Sequence, residues 1–251
     1  MNRSDFLKRA SSSGAGISID ESNDIKIMIN NTANLPILYS LRNCPYAMRA
    51  RIAIFKAKQT VMLRDIVLSN KPKEMITASP KATVPVLVLT NGIVLEESLA
   101  VMLWALNETD PDDLLQKQHA RELSEMLQLI NTFDHNFKAC LEQYKCAKRY
   151  RESNVVECRE ACEQYLKILE RRLNSQLFLM SNTESLVDIA LVPFLRQFAR
   201  VERQWYLKSP YPNVRKWLNN YLQSPMFTKV MAKYPLWLDN HEVVLFGGIS
   251  K

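Results

Sequence analysis

The pattern of apolar and polar positions changes twice along the chain. Residues 1–34 are mostly polar, rich in serine, glycine and acidic positions, and contain no apolar core of the kind that a secretory signal needs. Residues 35–109 combine short apolar runs of strand length with helical repeats, whereas from residue 113 onward helical spacing alone remains. This predicts a flexible leader over 1–34, an α/β domain over 35–109 and an all-α domain over 113–240.

The α/β domain begins with an apolar run at residues 35–41, which is the length of a strand. A helix is predicted to follow directly, because Pro45 has no N–H group to leave unpaired and therefore suits a first helical position. Cys44 then becomes the N-cap residue. The apolar positions of this helix recur at helical spacing, at Met48, Ile52 and Phe55.

Two more apolar runs, at residues 60–68 and 85–89, predict further strands. Asn91 and Gly92 predict a two-residue hairpin turn into a fourth strand. A helix that is apolar on most sides follows, and we expect it to lie buried against the sheet. Strand, helix, strand, hairpin and helix together make one compact α/β unit.

Two apolar stripes in the second half, over residues 123–144 and 155–173, predict a pair of antiparallel helices. Ser185 and Asp188 have the spacing of a capping box ahead of an apolar run that should form a central helix. We therefore assign Asp188 to capping and not to acid–base chemistry. Its replacement by alanine should lower stability by about 1 kcal/mol or more while ligand affinity is retained.

The formal net charge of +7 is compatible with nucleic-acid binding, with an anionic substrate, or with solubility alone. The densest basic cluster, residues 145–151, lacks the glycine-aromatic platform that single-strand binders use, so we expect no nucleic-acid partner. The longest nearly uncharged runs are too short for a bilayer, which predicts a soluble protein without a membrane partner. Five cysteines without a secretory signal predict reduced thiols in the cytoplasm.

Cys44 is the first candidate for chemistry. At the junction of a strand and a helix, its sulfur would lie where unpaired backbone N–H groups and the positive end of the helix dipole converge. Such positions stabilise a thiolate, which is the nucleophilic form of cysteine. The alternative is an ordinary buried thiol, since cysteine is among the residues most often buried.

Four features in order resemble the glutathione transferase superfamily. They are Cys44-Pro-Tyr-Ala47 after a strand, Thr83-Val-Pro85 before the hairpin, Glu97-Ser98 at the start of a helix, and the all-helical second half. The resemblance covers roughly residues 35–240. Its cysteine motif is most similar to the omega-like and glutaredoxin-like branches.

The resemblance implies a thioredoxin-like fold for the first domain, an all-helical second domain, glutathione as co-substrate and a homodimer. It also implies a cis peptide bond before Pro85, pairing of the Val84 backbone with the cysteinyl amide of glutathione, and a γ-glutamyl site at Glu97 and Ser98. Lys71 resembles a lysine that approaches the glycyl carboxylate in omega-like members. Each residue also has a structural alternative: Ser98 would cap its helix, Pro85 would shape a turn and Lys71 would be solvated.

Ala47 occupies the position of a resolving thiol in a Cys-x-x-Cys motif, so Cys44 is expected to work through a monothiol cycle on glutathione mixed disulfides. We therefore favour thiol transfer or glutathione-dependent reduction over conjugation of electrophiles. A non-catalytic binding or regulatory module on the same scaffold is the other alternative. The second substrate should lie between the domains, and the candidates for its walls, otherwise helical core, are Arg121, Phe133, Phe137, Phe194 and Trp205.

A metal site is not expected. Cys158 and Cys162 are four residues apart on an apolar stripe, with Cys140 and Cys146 on the preceding helix, and the tight spacing of structural zinc ligands is absent. Cysteine on such a stripe behaves as a small hydrophobic residue.

Overall fold

The computed structural model describes residues 34–118 and 120–248. A mixed β-sheet is the centre of its α/β part. In these ranges the sheet has five strands in the order β4-β3-β1-β2-β5. Their bounds are β1 Ile37–Ser40, β2 Thr60–Asp65, β3 Val86–Val88, β4 Val94–Leu95 and β5 Val244–Gly247. β1 and β2 are parallel and the other neighbouring pairs are antiparallel. The predicted leader lies outside the described residues except for Asn34.

Strand β5 was not predicted, and it comes from the far end of the chain. It pairs antiparallel with β2, with Thr60 opposite Gly247 and Leu63 opposite Val244. Gly247 has a φ of 105°. A Cβ atom there would meet the backbone oxygen of Gln59 at 1.9 Å, so only glycine fits this close approach of two backbones.

The hairpin between β3 and β4 differs from the predicted two-residue turn. The Leu89 N–H donates to the Ile93 oxygen at 2.8 Å, and the Gly92 N–H donates to the Leu89 oxygen at 3.0 Å. The loop therefore has three residues, Thr90, Asn91 and Gly92. Gly92 takes a φ of 85°, as expected for the left-handed residue that closes a three-residue loop, so the prediction was one residue too short.

Three helices accompany the sheet: α1 at Pro45–Lys56, α2 at Lys73–Ala78 and α3 at Ser98–Glu108. α1 contacts both α3 and a long helix of the second half, Leu186–Val201, so it is enclosed from two sides. All of its residues from Pro45 to Ile54 are buried except Tyr46. Cys44 therefore precedes a helix whose first three turns are almost entirely buried.

The second half is helical up to β5. α4 (Ala120–Thr132) continues through a π-helical turn (Phe133–Phe137) into α5 (Lys138–Tyr150), and α6 (Val155–Leu173) packs against α5. The stripe over residues 123–144 therefore lies on one helical run, interrupted by a turn that the sequence did not predict. Further helices are α7 at Leu186–Val201, α8 at Arg203–Lys208, α9 at Pro212–Leu222, α10 at Pro225–Val230 and α11 at Trp237–Asn240.

Helix α7 is central and begins at a capping box of Ser185 and Asp188. The Asp188 carboxylate accepts the backbone N–H of Ser185 at 3.0 Å and its hydroxyl at 2.7 Å. It also accepts the N–H of Leu179 at 2.9 Å and the indole N–H of Trp217 at 3.0 Å. Asp188 is fully buried. Through these hydrogen bonds it joins the start of α7 to two other segments of the helical half.

Leu35–Lys251 cluster as a single compact unit, so the domain boundary at residues 109–113 stays a prediction. None of the helices in the described ranges is both long and apolar enough to cross a membrane. Within the same ranges, histidine, cysteine and acidic side chains form no group of three or more that could hold a metal ion.

Candidate functional site

Cys44 lies between the end of β1 and the first turn of α1. Its backbone is extended, with φ −78° and ψ 124°, and its carbonyl accepts the N–H of Met48 at 2.9 Å, so it is the N-cap residue of α1. The half-buried sulfur lies 3.7 Å from the backbone oxygen of Val84. The sulfur is thus held at the positive end of a helix and against the loop that precedes β3.

That loop contains a cis peptide bond between Val84 and Pro85. Both residues line a cavity of about 320 Å³ at the start of α3. The cavity is lined by Tyr46, Arg49, Thr83, Val84, Pro85, Glu96, Glu97, Ser98, Asp134 and His135. Four residues that the sequence selected, Val84, Pro85, Glu97 and Ser98, are therefore brought together, and Cys44 reaches the group through its contact with Val84.

Ser98 is the first residue of α3 and is buried. Its Oγ accepts the Nε–H of Arg49 at 2.9 Å, which leaves the hydroxyl hydrogen available to donate. The first N–H groups of α3 have no partner within the helix, and no side chain caps them. A carboxylate placed here would meet a hydroxyl donor, backbone N–H groups and the positive end of the α3 dipole.

Arg49 was not selected from the sequence, yet it organises this end of the cavity. Its guanidinium donates to both carboxylate oxygens of Asp134, each at 2.7 Å. It also lies 5.3 Å from the ring centroids of Tyr46 and Phe194. Arg49 thereby ties α1, the start of α3 and the π-helical turn into one unit.

Of two further predicted residues, Glu97 lies at the cavity and Lys71 does not. Glu97 lines the cavity, but its carboxylate accepts from the Lys81 ammonium at 2.6 Å, and both side chains are more than half exposed. Lys71 does not line the cavity and forms no ion pair within the described residues. The structure therefore places Glu97 at the cavity and Lys71 outside it, and the roles of both residues stay predictions.

Most of the predicted walls of the second-substrate site are core residues. Phe133, Phe137 and Phe194 are fully buried, and the first two pack with each other at a centroid distance of 5.1 Å. Trp205 packs against Phe198, and the exposed Arg121 pairs with Glu125 in the next turn. The helical core therefore accounts for these three phenylalanines.

The sequence around Arg49 contains a signal that could have indicated its role. Arg49 and Arg51 are charged positions inside a helix whose other residues up to Ile54 are mostly apolar, and both are buried. Buried arginines need a paired acceptor. No local pattern indicated that the acceptor of Arg49 would be Asp134, 85 positions further along the chain.

Two family profiles match most of the chain. Residues 38–113 match the glutathione S-transferase N-terminal domain and residues 116–220 match the glutathione S-transferase C-terminal domain. The chain therefore belongs to the glutathione transferase superfamily. The prediction of a thioredoxin-like α/β half followed by a helical half is confirmed.

Individual relatives are distant. Glutathione S-transferase omega-1 of Mus musculus is 27% identical over 200 residues, which are 78% of this chain and 81% of that protein. A solved glutathione transferase family member from Pseudomonas fluorescens pf-5, with two glutathione molecules bound, has a TM-score of 0.70 at 17% identity and covers 79% of this chain and 93% of that one. The latter likeness establishes the fold.

A second kind of relative shares part of the same region. Elongation factor 1-gamma of Carassius auratus is 23% identical over 172 residues, which are 67% of this chain and 38% of that protein. Proteins that are not named as transferases thus also resemble this part of the chain.

Proposed function

We propose that this protein is a glutathione-dependent thiol transferase whose nucleophile is Cys44. The observation that carries the proposal is the position of the Cys44 sulfur, at the N-terminus of α1 and 3.7 Å from the Val84 oxygen beside the cavity. A thiolate at a helix N-terminus is stabilised by the helix dipole and by unpaired N–H groups. The sulfur is half-buried, so a disulfide of moderate size can approach it.

Glutathione would bind with its γ-glutamyl end in the cavity. Ser98 and the free N–H groups of α3 would bind the α-carboxylate, and Glu97 would bind the ammonium. The Val84 backbone would pair with the cysteinyl amide, which brings the glutathione sulfur to Cys44. Lys71, outside the cavity, would contact the glycyl carboxylate.

The reaction would proceed in two exchanges. The Cys44 thiolate attacks the glutathione sulfur of a mixed disulfide, so that this S–S bond breaks, the substrate leaves as a thiolate that takes up a proton, and Cys44 becomes S-glutathionylated. The thiolate of a second glutathione then attacks the cysteinyl glutathione sulfur. Oxidised glutathione leaves and the Cys44 thiolate is restored, so each mixed disulfide consumes one free glutathione, whose partner in the oxidised product is the glutathione that the substrate carried.

Conjugation of electrophiles fits the residue at position 44 less well. Conjugation needs glutathione itself to remain a thiolate, and a hydroxyl group can stabilise that ion without reacting. A cysteine there instead exchanges with glutathione disulfides and becomes S-glutathionylated, with the second sulfur of the disulfide leaving as a thiolate. Similarity to elongation factor 1-gamma supports a different second candidate, a binding module without catalysis.

Turnover of a small mixed disulfide whose leaving thiol is uncharged, glutathionyl-2-mercaptoethanol, by the wild type and Cys44→Ser tests the proposal. Loss of turnover by at least 100-fold in Cys44→Ser is expected, because a hydroxyl cannot form the mixed-disulfide intermediate. Cys158→Ser is the matched control, since Cys158 lies on α6 outside the cavity, and it should retain turnover. Equal rates for wild type and Cys44→Ser would exclude the mechanism.

Binding to immobilised glutathione separates the enzyme from the binding module. Retention on the column and elution by free glutathione would support the enzyme, and flow-through would support the module. The proposal includes a cytoplasmic location, supported by the five free cysteines, and a homodimer, supported by the superfamily resemblance. Sedimentation equilibrium would test the second of these.

A further inference from the structure

Two further cavities lie on the helical half, and one of them begins beside Cys44. Asn43, the residue before Cys44, lines a cavity of about 470 Å³ between α5 and α7. A cavity of about 850 Å³ adjoins it along α7, α8 and α9, because Arg196 and Arg200 line both. Because the two cavities share these arginines, we treat them as one depression that begins at the Cys44 loop.

We call this depression the basic groove and define it by its cationic residues that form no ion pair within the described residues. These are Arg149, Arg196, Arg200, Arg203, Arg215 and Lys216. The acidic residue among its lining side chains, Glu142, already accepts from Lys138 and Lys145. The nearby Glu202 already accepts from Lys148 at 2.8 Å and Arg159 at 3.0 Å. The groove therefore carries a positive charge that its own carboxylates do not balance.

Arg196 is the centre of this charge. It is half-buried, and burial together with the nearby Arg200 and Arg42 lowers its pKa. Arg42 is two residues before Cys44, so the charges around Arg196 include one from the Cys44 loop. Like charges held close together repel, and an anion bound among them would remove this repulsion.

We propose that the basic groove binds an acidic polypeptide segment and so presents a glutathionylated cysteine of that polypeptide to Cys44. This inference rests on the proposed function and adds the class of its second substrate. The chemistry is the first exchange described above, with the protein thiolate as the leaving group. The groove determines which proteins are deglutathionylated, while the cavity at Ser98 binds the glutathione moiety common to all of them.

The length of the groove favours a polypeptide over a small anion. Arg196 and Arg200 lie one turn apart on α7, about 6 Å along the helix axis, and Arg203 follows as the first residue of α8. A single carboxylate or phosphate would contact only part of this row. A peptide with several carboxylates would contact all of it, and the exposed Leu207 offers a place for an apolar side chain.

The lining favours a polypeptide over a nucleic acid. Single-stranded nucleic acids are bound by exposed aromatic rings on which bases stack, in addition to basic residues. The aromatic residue that lines the groove, Tyr206, is only 6% exposed and cannot provide such a surface. Carboxylate groups need only the guanidinium donors that are present.

The test uses three peptides that carry one glutathionylated cysteine flanked by glutamates, by serines or by lysines. For the wild type we expect kcat/KM for the acidic peptide to exceed that for the serine peptide by roughly tenfold at low salt, and this ratio to fall as salt is added. In the variant Arg149→Glu/Arg200→Glu the ratio should fall to about one or below. The matched control Lys167→Glu/Arg171→Glu makes the same charge change on α6, outside the groove, and should keep the wild-type ratio.

Failure of this inference differs from failure of the proposed function. If all three peptides turn over at equal rates, the thiol transferase stands and the groove proposal is overturned. If none turns over, the proposed function fails, and a binding measurement then tests the groove by itself. The probe is a labelled glutamate-flanked peptide with serine in place of cysteine. It should bind the Cys44→Ser protein, and adding Arg149→Glu/Arg200→Glu to that protein should lower the affinity at least fivefold. Unchanged affinity, or displacement of the peptide by a lower concentration of single-stranded RNA, overturns the proposal.

Discussion

The Arg49 guanidinium and the Asp134 carboxylate are joined by two parallel hydrogen bonds of 2.7 Å, and they connect the helix behind Cys44 to the π-helical turn of the helical half. The same guanidinium donates through Nε to Ser98 at the mouth of the cavity. The position of the Ser98 hydroxyl therefore depends on an ion pair between residues far apart in the chain. Stability and ligand binding should respond together when this pair is broken.

Replacement of Asp134 by alanine should lower the free energy of unfolding by about 3–5 kcal/mol, since it leaves the buried Arg49 without its partner. Glutathione affinity should fall as well, because Ser98 loses its fixed position. Urea unfolding and calorimetric titration with glutathione measure the two effects. Asp112→Ala, which removes a half-exposed partner of Lys56, is the control and should cost less than about 1 kcal/mol. Equal costs for both variants would contradict this account.

Replacement of Ser98 by alanine should weaken glutathione binding by roughly tenfold or more, because a hydrogen bond to a charged group contributes about 1.5–3 kcal/mol. The control is Ser79→Ala, which removes another buried serine hydroxyl that has no hydrogen-bond partner among the described residues. Ser79 lies outside the cavity, so its variant should bind glutathione as the wild type does. An unchanged dissociation constant for Ser98→Ala would remove Ser98 from the binding site.

Replacement of Lys81 by methionine should tighten glutathione binding about two- to threefold at low salt. The Lys81 ammonium donates a hydrogen bond of 2.6 Å to a Glu97 carboxylate oxygen. The ammonium of the ligand would compete for the same acceptor. The gain should shrink as salt screens both interactions. Lys73→Met removes an exposed lysine outside the cavity and serves as the control. Weaker binding in Lys81→Met would show that this lysine assists the ligand.

Asp188 should make stability depend on pH between about 4 and 6. Burial raises the pKa of its carboxyl group to about 6, although the donors from Leu179, Ser185 and Trp217 oppose this shift. The folded protein then holds a proton that the unfolded chain has released, so the contribution of Asp188 is fully present below pH 4 and is lost as the pH rises through 6. The difference between the two pKa values corresponds to about 3 kcal/mol.

Comparison with Asp188→Asn isolates this contribution, because the amide does not titrate in this range and the other acidic groups are common to both proteins. Unfolding free energies measured in urea at pH 4, 5, 6 and 7 should show wild type losing about 3 kcal/mol relative to the variant as the pH rises. Glutathione affinity should be unaffected in Asp188→Asn at pH 7, since Asp188 does not line the cavity. Parallel pH profiles would mean that burial does not raise the pKa of Asp188 in the folded protein.

Local sequence patterns predicted much of the scaffold. Apolar runs located the first four strands, Pro45 located the start of α1, and Ser185 with Asp188 located the start of α7. These features depend on residues within four positions of one another, so the sequence contains their full cause. The order of motifs around Cys44, Pro85 and Ser98 also sufficed to indicate the superfamily.

Only the tertiary structure determined how distant segments meet. β5 pairs with β2 across about 180 residues, Arg49 finds Asp134 across 85, and the arginines of α7, α8 and α5 combine into one groove. Such pairings depend on the packing of whole helices and sheets, because a short polar or apolar segment has many equivalent partners until the core fixes which one is near. The sequence therefore determined which residues could react, and the packed fold determined which charges surround them.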